Sequence, residues 1–361
     1  MATPQSPYAS LPIDAEEKRQ VVARLATEVR NKYCIPEQGE WIAHAVEIAS
    51  FDDAATLGEF AQKLTSVMFS VNQDGHLNVA VTQEKQDEPP ATETPSREDM
   101  KITLEDVSDS MLQRFYNRNF GVPKVEVLAG RVGYINWTSI VFDIIARDYV
   151  ISALNLVSAT EALIVDLREC GGGDPDTADI LYATLFDQET HVNDFYWRPI
   201  DTTKARIVGQ KDKFPELKRT YFGKPVYILT SHDTFSCGEE IAYTLQAFGK
   251  AKVVGTRTGG GGHPGMSLYL HPYLTVFLPT GRNINTKTLT DWEGVGVVPD
   301  VQVASADDAL DVAHGLALKH VLAAREAEWS KKPYMQTYLE TLRCTMDSLN
   351  LIAEKSVASM P

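Results

Sequence analysis

The feature that most constrains this chain of 361 residues is a set of three glycine-containing segments, each directly after a short apolar run. They lie at 168–174, 231–240 and 256–265, and are called the glycine segments below. From about residue 125 onward, such runs alternate with segments of helical periodicity. Strands are expected at 125–128, 132–137, 162–167, 226–230, 252–255 and 274–278, and helices at 144–157, 177–186, 239–248 and 307–329. This alternation predicts a layered α/β core, in which ligands bind where strands end. The glycine segments therefore mark where a functional site is expected.

The first 81 residues have a different pattern. Asp14 is a favoured helix cap, and apolar residues recur every fourth position over 14–33, which predicts an amphipathic helix. Helical patterns continue to about residue 68, and apolar residues alternate over 77–81 as in a short strand. We therefore expect a helical N-terminal domain that ends in a strand.

Residues 83–99 carry three prolines, many charges and no large apolar side chain, which predicts a solvated linker. The whole pattern predicts four parts. These are a helical domain at 1–81, a linker and short helix at 82–124, an α/β core at 125–330 and a helical tail at 331–361.

Composition excludes several classes of function. Lys and Arg number 34 against 49 Asp and Glu, and the resulting net charge of −15 repels nucleic acids and anionic membranes. No apolar run is long enough to span a bilayer, and the start of the chain shows no secretory or transit pattern. The four cysteines are scattered without metal-binding spacing, as expected for reduced thiols. We expect a cytoplasmic protein with no metal, no cofactor, and no nucleic-acid or membrane partner.

Ser236 is the candidate nucleophile. It follows the apolar run at 226–230 and stands where the next helix begins, so the positive end of that helix would stabilise a forming oxyanion. The same residue, with Glu239 three positions later, also fits a capping box with no chemical role. The spacing alone leaves both interpretations open.

The other two glycine segments have equally open interpretations. Gly171, Gly172 and Gly173 follow a strand, so their amides are either half of an oxyanion hole or part of a plain turn. The four glycines at 259–262 are either a surface along which substrate lies or a flexible loop.

A serine nucleophile needs a base. Of eight histidines, His76, His232 and His263 lie near turns, and spacing does not choose among them.

Five motifs in order resemble one family of enzymes. They occur at 74–77, 163–173, 234–240, 258–264 and 292–300. Together they resemble the C-terminal processing (tail-specific) serine peptidases, in the branch similar to the tricorn core and to interphotoreceptor retinoid-binding protein modules. The resemblance implies a crotonase-like α/β core behind a helical N-terminal domain. The short stretch between about 81 and 125 leaves no room for a PDZ domain.

The resemblance also implies roles for individual residues. Ser236 corresponds to the nucleophile, His76 to the base and Glu293 to the carboxylate partner. Gly171, Gly172 and Cys237 correspond to the oxyanion hole, and Gly259, Gly260 and His263 to substrate contacts. Many family members use a lysine where this chain has Gly259–Gly262, so a Ser-Lys dyad is not expected.

The sequence thus predicts a serine hydrolase, a peptidase that works through an acyl-enzyme. Two alternatives remain on the same scaffold. One is a module that binds lipophilic ligands, and the other is a cyclase, lyase or esterase that uses the oxyanion hole on a small metabolite. The expected partner is a peptide or small-molecule substrate, and the helical tail is compatible with a homo-oligomer.

Overall fold

The computed structural model describes residues 6–88, 102–218 and 221–358. The predicted linker at 83–99 lies outside the described residues from position 89 onward, and so does the end of the tail at 359–361.

The described chain contains both helices and strands. The helices are α1 (Ala15–Lys32), α2 (Pro36–Ile48), α3 (Leu57–Asn72), α4 (Asp109–Tyr116), α5 (Asp143–Val157), α6 (Pro175–Leu185), α7 (Cys237–Ala247), α8 (Ala309–Trp329) and α9 (Gln336–Ala358). The strands are β1 (Asn78–Val81), β2 (Lys124–Leu128), β3 (Val132–Asn136), β4 (Ala162–Asp166), β5 (Thr190–Trp197), β6 (Thr202–Val208), β7 (Val226–Thr230), β8 (Lys252–Gly255), β9 (Gly265–His271), β10 (Leu274–Pro279), β11 (Gly281–Asn285) and β12 (Val301–Gln302).

These elements form two compact units. The first unit contains Met1–Lys101, Asn193–Ala205 and Gly261–Ile284. The second contains Ile102–Val192, Arg206–Gly260 and Asn285–Pro361. A further three-stranded sheet has the order β11-β5-β6.

Three helices and a small antiparallel sheet make up the core of the first unit. Asp14 begins α1 by accepting hydrogen bonds from the amides of Glu16 and Glu17, both at 2.8 Å. The buried face of α1 includes Leu25 and Val29, as the fourfold pattern predicts. Helices α1 to α3 enclose one apolar cluster with the sheet of order β1-β10-β9.

A six-stranded sheet forms the centre of the second unit. Its order is β12-β8-β7-β4-β3-β2, with parallel pairing except between β2 and β3. Successive residues of β4 face opposite sides, because side chains alternate along a strand. Leu163 and Val165 join a cluster with residues of α5, α6 and α7, whereas Ala162 and Ile164 join a cluster with residues of α8 and α9. The sheet is therefore covered on both faces.

The predicted α/β class and helical N-terminal region are confirmed. Between β1 and β2 the described residues form only α4 and two short 3₁₀ turns, so the described part of the chain contains no PDZ domain. None of its helices has the length and apolarity that crossing a bilayer requires.

The sequence pattern did not predict β5, β6, β9, β11 or β12. Strand β5 has the polar Asn193 and Asp194 at its centre, and β6 begins with Thr202, Thr203 and Lys204. Such segments lack the apolar alternation that marks a half-buried strand. They are strands because pairing satisfies their backbone groups, β6 with the neighbouring β5 and β5 also with the distant β11.

Candidate active site

The three glycine segments follow β4, β7 and β8, which are neighbours in the sheet of the second unit. The strands are parallel, with Asp166 opposite Leu229 and Thr230 opposite Gly255, so they end at one edge. Backbone hydrogen bonds then join the segments beyond that edge. The amide of Phe235 donates to the carbonyl of Cys170 at 2.9 Å, and the amide of Gly259 donates to that of Thr234 at 3.1 Å. The parallel order therefore brings all three segments together.

Ser236 has a strained backbone at the start of α7. Its φ of 53° and ψ of −123° lie in a region that residues with a Cβ rarely adopt. Such a conformation costs about 1–3 kcal/mol and persists only where surrounding contacts hold it. The side chain is half-buried. Among the described residues, the next amide, that of Cys237, donates to no protein acceptor, as is typical of the first turn of a helix.

Gly172 packs directly against this serine. Its φ is 100°, and a Cβ at this position would lie 2.7 Å from the Cβ of Ser236 and 3.0 Å from the amide nitrogen of Cys237. No side chain fits such a gap, so glycine is required here. A Cβ on Gly171, by contrast, would meet nothing within 4 Å. The backbone at Gly172 and the amide of Cys237 thus lie side by side next to the Ser236 side chain.

Glu239 holds the nucleophile segment and the third glycine segment together. Its carboxylate is fully buried. One oxygen accepts from the amide of Ser236 at 3.0 Å, which is one arm of the predicted capping box. The other oxygen accepts from the amide of Gly260 at 2.7 Å and from the hydroxyl of Thr258 at 2.5 Å. Glu239 is therefore more than a helix cap, because it fixes the position of the glycine segment.

The turn that carries Glu293 is attached to the same glycine segment. The amide of Gly294 donates to the carbonyl of Gly260 at 2.8 Å, and the amide of Val297 donates to the hydroxyl of Thr258 at 2.6 Å. Glu293 itself is half-buried. Its turn is thus linked through Thr258 and Gly260 to the carboxylate that holds Ser236.

A second polar group lies in the first unit, around Asp74. One oxygen of this buried carboxylate accepts from the hydroxyl of Tyr33 at 2.8 Å and lies 3.3 Å from Nδ1 of His263. Its other oxygen accepts from the backbone amide of His76 at 2.9 Å. The His76 ring stacks on Phe277, with 5.6 Å between the ring centroids. Asp74 therefore orients both the turn of His76 and the ring of His263.

Burial sets the protonation state of this group. It lowers the pKa of His76 to about 4, because a charged imidazole loses hydration; Asp74 opposes that shift and His263 adds to it. Burial alone would raise the pKa of Asp74, but hydrogen bonds from His263 and Tyr33, together with nearby His76, hold it below its ordinary value. At neutral pH, His76 is therefore an uncharged imidazole next to a carboxylate.

The predicted site residues are divided between the two units. Ser236, Cys237, Gly171, Gly172, Gly259, Gly260 and Glu293 belong to the second unit, and His76 and His263 to the first. His232 is exposed. From the sequence alone, Asp74 is expected only to form a turn with the following glycine, and Glu239 only to cap a helix. No sequence signal shows that their carboxylates meet distant loops.

We expect Gly172→Ala to destabilise the protein by about 1–3 kcal/mol, because the new methyl group strains the backbone and collides with Ser236. Gly171→Ala is the matched control on the neighbouring residue and should change the free energy of unfolding by less than about 1 kcal/mol. Urea denaturation of both variants measures the difference. Equal free energies of unfolding for Gly172→Ala and Gly171→Ala would contradict the close packing of Gly172 against Ser236.

The protonation of His76 predicts a pH dependence of stability. An unfolded histidine titrates near 6.5 and the folded one at about 4, so between these values the unfolded chain binds the proton more readily. This group therefore leaves stability unchanged above pH 6.5 and lowers it as the pH falls towards 4. Burial raises the pKa of Asp179 to about 6, so this residue adds stability as the pH falls and opposes the effect of His76. The effect of His76 is therefore measured against a variant that lacks this histidine.

Urea denaturation of the wild type and of His76→Asn between pH 7 and pH 4 isolates the effect. The wild type should lose more stability than the variant over this range. A parallel loss in both proteins would show that His76 is not protected from protonation.

The chain is similar to known proteins in sequence and in fold. The model of peptidase family S41 matches residues 131–303, and the model of the N-terminal domain of Peptidase_S41 in eukaryotic IRBP matches residues 15–128. The fold is similar to that of a candidate peptidase from Parabacteroides merdae ATCC 43184, with 18% identity, a TM-score of 0.57, and coverage of 83% of this chain and 96% of that one. A candidate S41 protease from Bacteroides fragilis NCTC 9343 is similar at 13% identity and a TM-score of 0.57, over 84% and 97% of the two chains.

The tricorn protease is also similar in fold, with 13% identity, a TM-score of 0.50, and coverage of 85% of this chain and 37% of that one. The resemblance predicted from the motifs is thus confirmed. Because the two family models together match most of the chain, it belongs to peptidase family S41 and is a serine peptidase.

Proposed function

We propose that the protein hydrolyses peptide bonds through an acyl-enzyme on Ser236. His76 removes the hydroxyl proton, and Glu293 orients and stabilises the imidazole, directly or through an intervening hydroxyl. The amides of Cys237, Gly171 and Gly172 bind the oxyanion. The observation that carries the proposal is the strained backbone of Ser236 against Gly172.

The surroundings of Ser236 support its role as nucleophile. Strain at a serine between a strand and a helix is typical of a side chain that is exposed for attack on a carbonyl. The Cys237 amide points from the first turn of α7, where the helix dipole favours negative charge. When the hydroxyl attacks the scissile carbonyl, the developing oxyanion lies beside this amide and the backbone at Gly172.

The first unit supports a histidine base. A general base must be unprotonated when the hydroxyl approaches, and burial keeps His76 neutral over the physiological range. Asp74 holds the turn of His76 through the backbone amide. In this proposal His76 accepts the proton from Ser236 and then donates it to the leaving amine.

The third glycine segment is the proposed path of the substrate. Gly259 is half-buried and Gly260 is buried, and Glu239 anchors the segment through the amide of Gly260, so a peptide would meet a backbone held in one position. We propose that these glycines and His263 contact the substrate. Assembly into a homo-oligomer and a cytoplasmic location stay predictions of the sequence.

The lipophile-binding alternative gains no support from the apolar cavity inside the second unit. This cavity is lined by Val122, Ile135, Trp137 and residues of α5, β4 and α6, and its volume is about 10 Å³. A space of that size holds about one water molecule.

Ser236→Ala should reduce peptide hydrolysis by about 10⁴- to 10⁶-fold, because the acyl-enzyme cannot form. The variant should fold normally, and a fluorophosphonate should label Ser236 in the wild type and not in the variant. Turnover of a fluorogenic peptide library together with mass spectrometry of the labelled protein measures both effects. Retained activity in Ser236→Ala would instead favour chemistry on a small metabolite that needs only the oxyanion hole.

His76→Ala should lower kcat nearly as much as Ser236→Ala, because no other group then removes the proton. His263→Ala should lower kcat/KM less, through weaker substrate contact. His232→Ala is the control, since this side chain is exposed and should leave kcat unchanged. A larger loss of kcat in His263→Ala than in His76→Ala would assign the base to the His263–Asp74 pair.

A further inference from the structure

A buried arginine of the second unit joins two helices that begin at the proposed oxyanion hole. Arg206 lies on β6, and only 7% of its side chain is exposed. Its Nε donates to Oε1 of Glu240 at 3.1 Å. One terminal nitrogen donates to the carbonyl of Pro175 at 2.9 Å and to Oδ1 of Asp179 at 3.0 Å. The buried charge is therefore paired with two carboxylates.

The acceptors lie on two different helices. Pro175 and Asp179 belong to α6, and Glu240 belongs to α7. Helix α6 begins immediately after the turn of Gly172, and α7 begins immediately after Ser236. One guanidinium group thus connects the N-terminal part of α6, which follows the Gly172 turn, to the N-terminal part of α7, whose first residue carries the proposed oxyanion-binding amide of Cys237.

The contact extends to the oxyanion-hole residue itself. The carboxylate of Glu240 lies 3.8 Å from Sγ of Cys237 and accepts from the Tyr182 hydroxyl at 3.3 Å. The Arg206 guanidinium stacks over the Tyr182 ring at 5.8 Å. Cys237 therefore packs on the same buried cluster that Arg206 organises.

A buried ion cluster of this kind is not the simplest way to fill a core. Apolar side chains of similar volume are often at least as stabilising, so stability alone does not account for these charges. The planar fork of arginine fixes several acceptors in one plane, which a lysine ammonium does not do. This explains why the cluster joins helix ends whose separation matters.

We infer that Arg206 is a positioning residue that sets the separation of the two halves of the oxyanion hole, the amides at Gly172 and at Cys237. This inference rests on the proposed function, since it assigns to Arg206 the geometry of that same site. Arg206 acts through Pro175, Asp179 and Glu240 and does not touch the substrate.

The test compares Arg206→Met with Val157→Ala, a core variant of the same unit at the buried end of α5. The wild type and both variants are assayed as full chains at a temperature where all are folded. We expect Arg206→Met to lower kcat by about 10- to 100-fold, because small displacements of catalytic groups cost rates of this size. KM should change by less than about threefold, since ground-state binding does not use the oxyanion hole.

Inhibition by a peptide aldehyde gives a second readout, because its adduct with Ser236 places an oxyanion in the hole. The inhibition constant in Arg206→Met should rise by about the same factor as kcat falls. Arg206→Lys should have kcat and inhibition constants between those of the wild type and Arg206→Met, since lysine keeps the positive charge but lacks the planar guanidinium group. Val157→Ala should leave both values near those of the wild type.

Hydrogen exchange separates this inference from the proposed function, because it does not depend on catalysis. Arg206→Met should speed exchange of the first-turn amides of α6 and α7 by more than about tenfold relative to Val157→Ala. Unchanged exchange, or equal losses of kcat in the two variants, would overturn the role of Arg206. The proposed function can fail separately, if fluorophosphonate does not label Ser236 in the wild type and Ser236→Ala keeps its turnover. Faster exchange in Arg206→Met would then still support the positioning role of Arg206.

Discussion

Parallel pairing of β8, β7 and β4 is the constraint on which the site in the second unit depends. Parallel strands all end at one edge of a sheet, so strand order alone brings the segments that follow them together. Each of these segments contains the small or strained residues that close backbone approach requires, and Gly172 against Ser236 is the tightest case. The chemistry assigned to Ser236 therefore follows from strand order as much as from the serine itself.

Buried polar groups then hold the segments in place. Glu239 and Asp74 each accept several hydrogen bonds in the interior, and Arg206 donates several. A buried charge is tolerated only when it is fully paired, so each group restricts its neighbours to one arrangement. Such restriction allows the strained backbone of Ser236 to persist. Rigidity of this kind is what an oxyanion hole needs, because its donors must be in place before the charge develops.

Local patterns predicted most of the regular elements. The helices α1, α3, α5, α6 and α8 have apolar stripes, caps or both, and β4 and β7 consist mainly of apolar residues. Strands β5 and β6 were not predicted, because polar residues interrupt their apolar pattern. They pair with each other, and β5 also pairs with β11. The strand at 274–278 was predicted, but its partners were not. It pairs with β1 and β9 in the first unit, across about two hundred residues of sequence in the case of β1.

The sequence by itself determined the family, the α/β class and the residue types available for chemistry, because these depend on local order along the chain. Through motifs that resemble the family, it named Ser236, His76 and the glycine segments as candidates. Only the tertiary structure decided that Asp74 meets His263 across 189 positions and that Arg206 joins α6 to α7. Hydrogen bonds depend on distance in space, and that distance is set by strand pairing and helix packing between segments far apart in sequence.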